Sequence, residues 1–118
     1  MKIKNLTKLY NYAKNIIPGG TTLFSKRSEL HLPDKWPSYF KKAKDINVWD
    51  LNGSKYLDMF CAVGTSILGY KNYQINKSVI ENINKGNMTT LNCPEELYLA
   101  EKLIEHHPWA SMVKFTRG

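Results

Sequence analysis

The 118-residue sequence predicts an α/β chain, and three observations lead to this fold class. Apolar residues recur every three or four positions in three stretches, which is the spacing of amphipathic helices. One Asn-Gly pair lies between two apolar runs, and this is the strongest short signal for a β-hairpin. An alternation of apolar residues comes at the end of the chain. Together these patterns predict a helix, a β-hairpin, two helices and a terminal strand, in that order.

The first helix is predicted over residues 5–16, within a helical segment that covers residues 1–17. Its apolar stripe consists of Leu6, Leu9, Tyr10, Ala13, Ile16 and Ile17. Pro18 ends the helix, and the two glycines after it open a loop. Residues 18–37 hold three prolines and no sustained period. Because loops of this length are uncommon unless they border a site, we expect an irregular, site-proximal loop here.

The hairpin is predicted over residues 38–60, with its strands near 46–50 and 54–59. Its turn contains Asn52 and Gly53, which both tolerate a positive φ. The residues from 38 to the turn also have a β-like pattern. The whole segment is therefore predicted to be extended.

Residues 61–110 are predicted to contain two helices with connectors. The first covers about 73–85 and is followed by a glycine suited to a helix end. The second covers about 94–107, since a proline suits its first position and two glutamates lie in its first turn. Residues 111–118 are predicted to contain a strand, at 112–116, that leads into a loop. We expect that strand to belong to a larger parallel sheet lying mostly beyond this chain.

The formal net charge of +7 raises the question of nucleic-acid binding. Fifteen of the 17 basic residues are lysines, whereas nucleic-acid surfaces favour the planar fork of arginine. The lysines are also scattered along the chain. We therefore expect solvated faces and no nucleic-acid partner, and a basic nucleic-acid-binding domain stays only as the weakest alternative function.

Membrane insertion, secretion and metal binding are not expected. No apolar run reaches the roughly 18 residues that a membrane span needs. The first lysines precede no continuous apolar stretch, so the default location is cytoplasmic. His106 and His107 are adjacent on a helix and would point about 100° apart, which does not suit a shared metal ion.

Short motifs in a fixed order carry a resemblance to a known family. They are Ile17-Pro18-Gly19-Gly20-Thr21, Val48-Trp49-Asp50-Leu51-Asn52-Gly53, Gly64 with Ile67-Leu68-Gly69-Tyr70, Pro94-Glu95-Glu96 and Val113-Lys114-Phe115-Thr116. In this order and spacing, the chain resembles the N-terminal part of class-III pyridoxal-phosphate-dependent aminotransferases. It is most similar to members of the glutamate-1-semialdehyde 2,1-aminomutase type.

The resemblance implies the aspartate-aminotransferase-like fold (fold type I), of which this chain would be the front part. It also implies a homodimer, a small-molecule amino donor and acceptor, and pyridoxal 5'-phosphate as cofactor. The reaction would be amino-group transfer, or a 1,2-shift, on a small amino-acid-like, amino-sugar or aldehyde substrate. Gly118 would lie at the edge of the cofactor-phosphate loop. The Schiff-base lysine would lie further on, so no residue of this chain is expected to be catalytic and the isolated chain is expected to be inactive.

Two segments are predicted to face the substrate by the same resemblance. After the paired glycines, the aminomutase has an arginine that binds the substrate carboxylate; this chain has Lys26 there and Arg27 one place later. Lys26 and Arg27 are thus candidates for a carboxylate clamp, with a solvated loop as the alternative. Val63, Gly64 and Thr65 are candidates for a pocket wall, with a packed crossing as the alternative. A small interaction module, or a degenerate relative of the family, remains open as a different function for the chain.

Overall fold

The structure is a computed structural model that describes residues 5–116. Within these residues the elements are three helices, α1 Leu6–Ile16, α2 Tyr73–Lys85 and α3 Pro94–His106, and three strands, β1 Phe40–Lys44, β2 Asn47–Asp50 and β3 Lys55–Leu57. The chain divides into two compact units, one up to Ser78 and one from Val79 onward. Each unit is considered by itself below.

Helix α1 forms where the periodicity predicted it. The Asn5 side chain caps its N-terminus by accepting a hydrogen bond from the backbone N–H of Lys8 at 3.1 Å. Tyr10 and Ala13 are buried on its inner face. The helix ends at Ile16, two residues before Pro18. The prediction of a helix over residues 5–16 is therefore confirmed.

The segment between α1 and β1 is irregular, as the prolines and glycines predicted. It contains three single turns of 3₁₀ helix, at Pro18–Gly20, Phe24–Lys26 and Ser28–Leu30. Gly20 and Ser28 are buried in this segment. The loop thus packs against its surroundings at two points and is not a free tether.

The three strands form one antiparallel sheet in the order β1-β2-β3. The β2–β3 hairpin confirms the prediction made from the Asn-Gly turn, where Gly53 has a φ of +92°. Strand β1 extends this hairpin to a third strand. Its register with β2 shifts between Phe40 and Lys42, which indicates a bulge at the start of the pairing.

Helices α2 and α3 confirm the two predictions for the second half of the chain. Most of their apolar residues are nonetheless exposed, and neither helix has a buried residue. On α2, Ile75, Val79, Ile80 and Ile83 have 47–57% of their surfaces accessible to solvent. No helix among residues 5–116 combines the length and the apolar character that crossing a membrane requires.

The strand predicted at residues 112–116, as part of a larger parallel sheet, remains a prediction. These residues belong to no strand, and no described residue pairs with them in a ladder. The reason is physical: an apolar alternation marks a side-chain pattern, but a strand exists only where a neighbour accepts and donates its backbone hydrogen bonds. Gly118, the residue assigned to the phosphate loop, lies outside the described residues.

Candidate functional site

The long loop is tied to α1 by the hydroxyl of Tyr10. This oxygen lies 2.9 Å from Glu29 Oε2 and 3.2 Å from the carbonyl oxygen of Gly19, and it accepts a hydrogen bond from the N–H of Ser28 at 3.4 Å. Lys14 Nζ donates to the other Glu29 oxygen at 2.7 Å. One buried tyrosine therefore holds both the beginning and the middle of the loop, on either side of the predicted clamp residues.

Glu29 stays ionised in this network. The hydrogen bond from Lys14, its own backbone N–H and the Tyr10 hydroxyl lower the pKa of the carboxyl from 4.5 to about 2. Solvent screens the Lys14–Glu29 pair, so the pair adds little to the free energy of unfolding. Its effect is to fix the position of the loop.

The two clamp candidates have different surroundings. The Lys26 side chain is exposed, whereas Arg27 is partly buried. The guanidinium carbon of Arg27 lies 5.0 Å from the centre of the Phe24 ring, which is a cation–π distance. Its Nε is buried and has no hydrogen-bond partner, and within residues 5–116 the side chain forms no ion pair. Arg27 is therefore a positioned cation with unused donors, and Lys26 is a solvated lysine.

The second candidate segment is a left-handed turn. Cys61, Ala62 and Val63 have φ values of 47°, 49° and 60°, and Gly64 continues the series at 82°. L-residues in this region cost about 1–2 kcal/mol each, so the three non-glycine residues store roughly 3–6 kcal/mol. The Thr65 hydroxyl donates to the carbonyl of Ala62 at 2.8 Å and stabilises the turn from within. Strain of this kind persists only where the surroundings fix it.

Those surroundings are contacts on both sides of the turn. Before it, Asp58 Oδ1 accepts a hydrogen bond from the N–H of Phe60 at 2.8 Å, while its other oxygen accepts a short hydrogen bond from the Tyr70 hydroxyl. That bond raises the pKa of Tyr70 to about 12. After the turn, Tyr70 and Asp45 exchange two backbone hydrogen bonds, and a Cβ on Gly69 would lie 3.3 Å from Asp45 Cα. The close crossing is therefore at Gly69, because a Cβ on Gly64 would meet nothing within 4 Å.

The structure brings the two candidate segments near each other only indirectly. Within residues 5–116, no hydrogen bond, ion pair or ring contact joins Lys26 or Arg27 to Val63 or its neighbours in the turn. The connection is the ring of His31, whose Nε2 lies 2.8 Å from the carbonyl oxygen of Ser25 and which meets Phe60 edge-on at 5.5 Å. Sequence analysis placed Tyr10 only in the apolar stripe of α1 and did not single out His31, because the partners that define their roles lie far away in the sequence.

The comparisons with known proteins cover nearly the whole chain. A glutamate-1-semialdehyde 2,1-aminomutase from Methanothrix thermoacetophila is 31% identical over 115 residues, which are 98% of this chain and 26% of that protein. A 3-aminobutyryl-CoA aminotransferase from Cloacimonas acidaminovorans is 31% identical over 118 residues, 99% of this chain and 28% of the relative. The chain is related to the class-III pyridoxal-phosphate-dependent aminotransferases and aminomutases. It spans about a quarter of the length of these curated relatives.

The solved structures agree with this relationship. The FumI protein of Sphingopyxis sp. MTA144, solved in its PLP internal aldimine form, has a TM-score of 0.77 at 27% identity. The match covers 87% of this chain and 24% of that protein. The fold is therefore that of the N-terminal portion of fold type I, as the motifs predicted. No family model matches the chain.

The candidates for the substrate pocket, Lys26, Arg27 and Val63 to Thr65, all lie among the described residues. The aminotransferase resemblance assigns cofactor contact to Gly118, which the structure does not describe. The approach to it, residues 112–116, pairs with no strand among residues 5–116. By contrast, Arg27 forms no ion pair with any residue of 5–116, and the fork of a guanidinium matches two carboxylate oxygens.

Proposed function

We propose that this chain functions as the N-terminal segment of an enzyme that transfers an amino group with pyridoxal 5'-phosphate. The observation that carries the proposal is the likeness to the FumI structure, since it combines a TM-score of 0.77 with 27% identity across 87% of the chain. The relatives carry out both aminomutase and aminotransferase reactions according to their names. The substrate class proposed here is accordingly a small amino-acid-like, amino-sugar or aldehyde molecule that bears an amino group.

The exposed apolar surface supports a role within a longer polypeptide. The chain exposes 10412 Å², whereas a folded 13.6-kDa protein exposes about 6,600 Å² and two separate small bodies of the same total mass about 7,800 Å². Met88, Leu91 and Met112 are each more than 80% exposed. Apolar area of this extent is normally covered by other parts of a protein. The same proposal includes that the enzyme is a homodimer and that it is located in the cytoplasm.

Within that enzyme, the residues of this chain bind and orient the substrate. Arg27 binds a substrate carboxylate through its free donors, and Lys26 adds positive charge at the entrance to the same place. Val63, Gly64 and Thr65 form a rigid wall, because the left-handed turn is fixed at both ends. When bound, pyridoxal phosphate supplies the electron sink for reactions at the amino-bearing carbon.

Cofactor uptake by the full-length gene product tests the proposal. The purified protein should show the visible absorbance of lysine-bound pyridoxal phosphate, and borohydride should abolish it and leave a lysine-linked adduct in a tryptic peptide. A protein that takes up no cofactor when pyridoxal phosphate is added would overturn the proposal.

An interaction module is the second candidate, because the same exposed apolar faces suit a protein partner. The 118-residue chain alone distinguishes the two. A module should be a compact monomer with one cooperative melting transition. A segment of an enzyme should melt broadly or aggregate, since the apolar faces of α2 and α3 are left uncovered.

A further inference from the structure

Lysines that are separated in the sequence come together on one face of the antiparallel sheet. Lys42 on β1 pairs with Trp49 on β2, and Trp49 pairs with Lys55 on β3, so their side chains form a row across the sheet. Lys44 lies two residues further along β1 and therefore projects from the same face. Together these four side chains make up the basic face of the sheet.

The ring of Trp49 contacts the ammonium groups on both of its sides. Lys42 Nζ lies 4.6 Å from the ring centre and Lys55 Nζ lies 5.6 Å from it, and both are cation–π distances. These contacts restrict two long side chains that would otherwise move freely in solvent. Binding to them therefore costs less side-chain entropy than binding to unrestrained lysines.

The positive charge of the basic face is uncompensated within residues 5–116. Lys42, Lys44 and Lys55 are exposed, and none of them forms an ion pair with a residue of that range. The other paired positions on this face, Asn47 and Leu57, are uncharged. Like charges on one surface repel each other, so an anion that binds there relieves the repulsion.

The opposite face of the sheet is the one that turns toward the long loop. There Val48, Asp50 and Tyr56 border a cavity of about 390 Å³ together with Trp36 and Tyr39 of the loop. Covering the basic face with apolar groups would instead remove several ammonium groups from water, which is costly for unpaired charges. We therefore expect the basic face to stay accessible in a longer polypeptide.

We propose that the basic face is a docking surface for an acidic, extended segment of a partner protein. The backbones of β1 and β3 lie about 10 Å apart, which is twice the spacing of neighbouring strands. An unfolded segment populates the polyproline II helix, in which every third side chain points the same way, about 9 Å further along. Carboxylates at this spacing meet Lys42 and Lys55 together, whereas a single carboxylate or phosphate reaches only one of them.

A nucleic acid and a second copy of this chain fit the basic face less well. Single-stranded nucleic acids stack their bases on open aromatic rings, but Trp49 is partly buried and two ammonium groups approach its ring. The face also has no arginine, whose planar fork matches phosphate. In a symmetric contact between two copies, the two basic faces would repel each other.

A short synthetic peptide with glutamate at every third position tests the proposal, and the matching glutamine peptide is its uncharged control. Binding to the full-length gene product is measured by isothermal titration calorimetry. We expect the glutamate peptide to bind with a Kd that rises with salt concentration, and the glutamine peptide not to bind. The double variant Lys42→Gln/Lys55→Gln should raise the Kd about tenfold, because two exposed ion pairs are lost.

The double variant Lys8→Gln/Lys35→Gln is the matched control, since it removes the same charge from exposed positions elsewhere. Lys8 lies on α1, and Lys35 borders the cavity on the opposite face of the sheet. This variant should bind the glutamate peptide like the wild type. An equal loss of affinity in both double variants would reveal an effect of net charge alone and would overturn the docking surface.

The remaining outcomes separate the possible occupants. An unchanged Kd in Lys42→Gln/Lys55→Gln would overturn the proposal. Tighter binding of an oligothymidine than of the glutamate peptide, lost in the same variant, would make the occupant a nucleic acid and overturn the acidic partner. Resistance of Lys42 and Lys55 to acetylation in the full-length gene product, while Lys8 reacts, would show that other parts of the polypeptide cover the face and would overturn it as well. None of these results depends on cofactor uptake, so they are distinguishable from a failure of the proposed function.

Discussion

Replacing Asp50 with alanine should open the hairpin turn. The Asp50 side chain is 3% exposed and accepts three hydrogen bonds, from the N–H groups of Asn52 and Ser54, both at 2.9 Å, and from the Tyr56 hydroxyl at 3.1 Å. Hydrogen bonds to a charged group contribute about 1.5 kcal/mol or more each. Because the three share one carboxylate and are not additive, we expect a loss of about 3 kcal/mol.

Hydrogen exchange at the two donor amides measures this loss directly. In Asp50→Ala, the protection of the Asn52 and Ser54 amides should fall about a hundredfold, which is the equivalent of that free energy. Tyr56→Phe removes one of the three hydrogen bonds and is the graded control, with an expected fall of about tenfold. Unchanged protection in Asp50→Ala would refute the reasoning, because it would show that the backbone alone holds the turn.

Three further predictions concern ionisation and strain. The pKa of Glu29 is lowered to about 2, so the ionised carboxyl stabilises the loop at pH values above its ordinary pKa of 4.5. Protection of the Ser28 amide should therefore fall as the pH drops from 4.5 toward 2, and a flat profile would contradict this. The pKa of Tyr70 is raised to about 12, so the protonated hydroxyl stabilises the turn below pH 10, and this stabilisation is lost as the pH rises through 12. Asp58→Ala should shift one tyrosinate absorbance transition back toward pH 10. Val63→Gly should raise the urea concentration at the midpoint of unfolding, because relief of the left-handed strain exceeds the entropic cost of glycine by about 0.5–1 kcal/mol. A lower midpoint would argue against stored strain.

Local signals in the sequence predict most of the secondary structure. Helix α1 has an apolar stripe and a proline after its end, and the β2–β3 hairpin has an Asn-Gly turn, so each is encoded within a few residues. Strand β1 carries three lysines in five residues and no clear alternation. The sequence predicts extended structure there, but the separation of β1 from β2 is defined only by the pairing between them.

The terminal segment and the candidate site show where such prediction ends. Residues 112–116 have a strand pattern but no neighbouring strand among the described residues. The left-handed turn at Cys61–Val63 opposes the local preference of those residues and is held by Tyr70 and Asp45. The guanidinium of Arg27 lies against the backbone of Gly19, which is eight positions earlier in the sequence. A paired glycine in the sequence indicates a loop, but it does not reveal which side chain fills the space that the glycine leaves.

Transfer of a labelled amino group is the most direct test of the central claim. The full-length gene product, supplied with pyridoxal phosphate, would be incubated with nitrogen-labelled amino donors and with 2-oxo acid or aldehyde acceptors, and the label followed by mass spectrometry. The account predicts label on an acceptor, with a raised KM in Arg27→Ala for donors that carry a carboxylate. Absence of label from every acceptor, in a protein that also leaves the cofactor unbound, would contradict it.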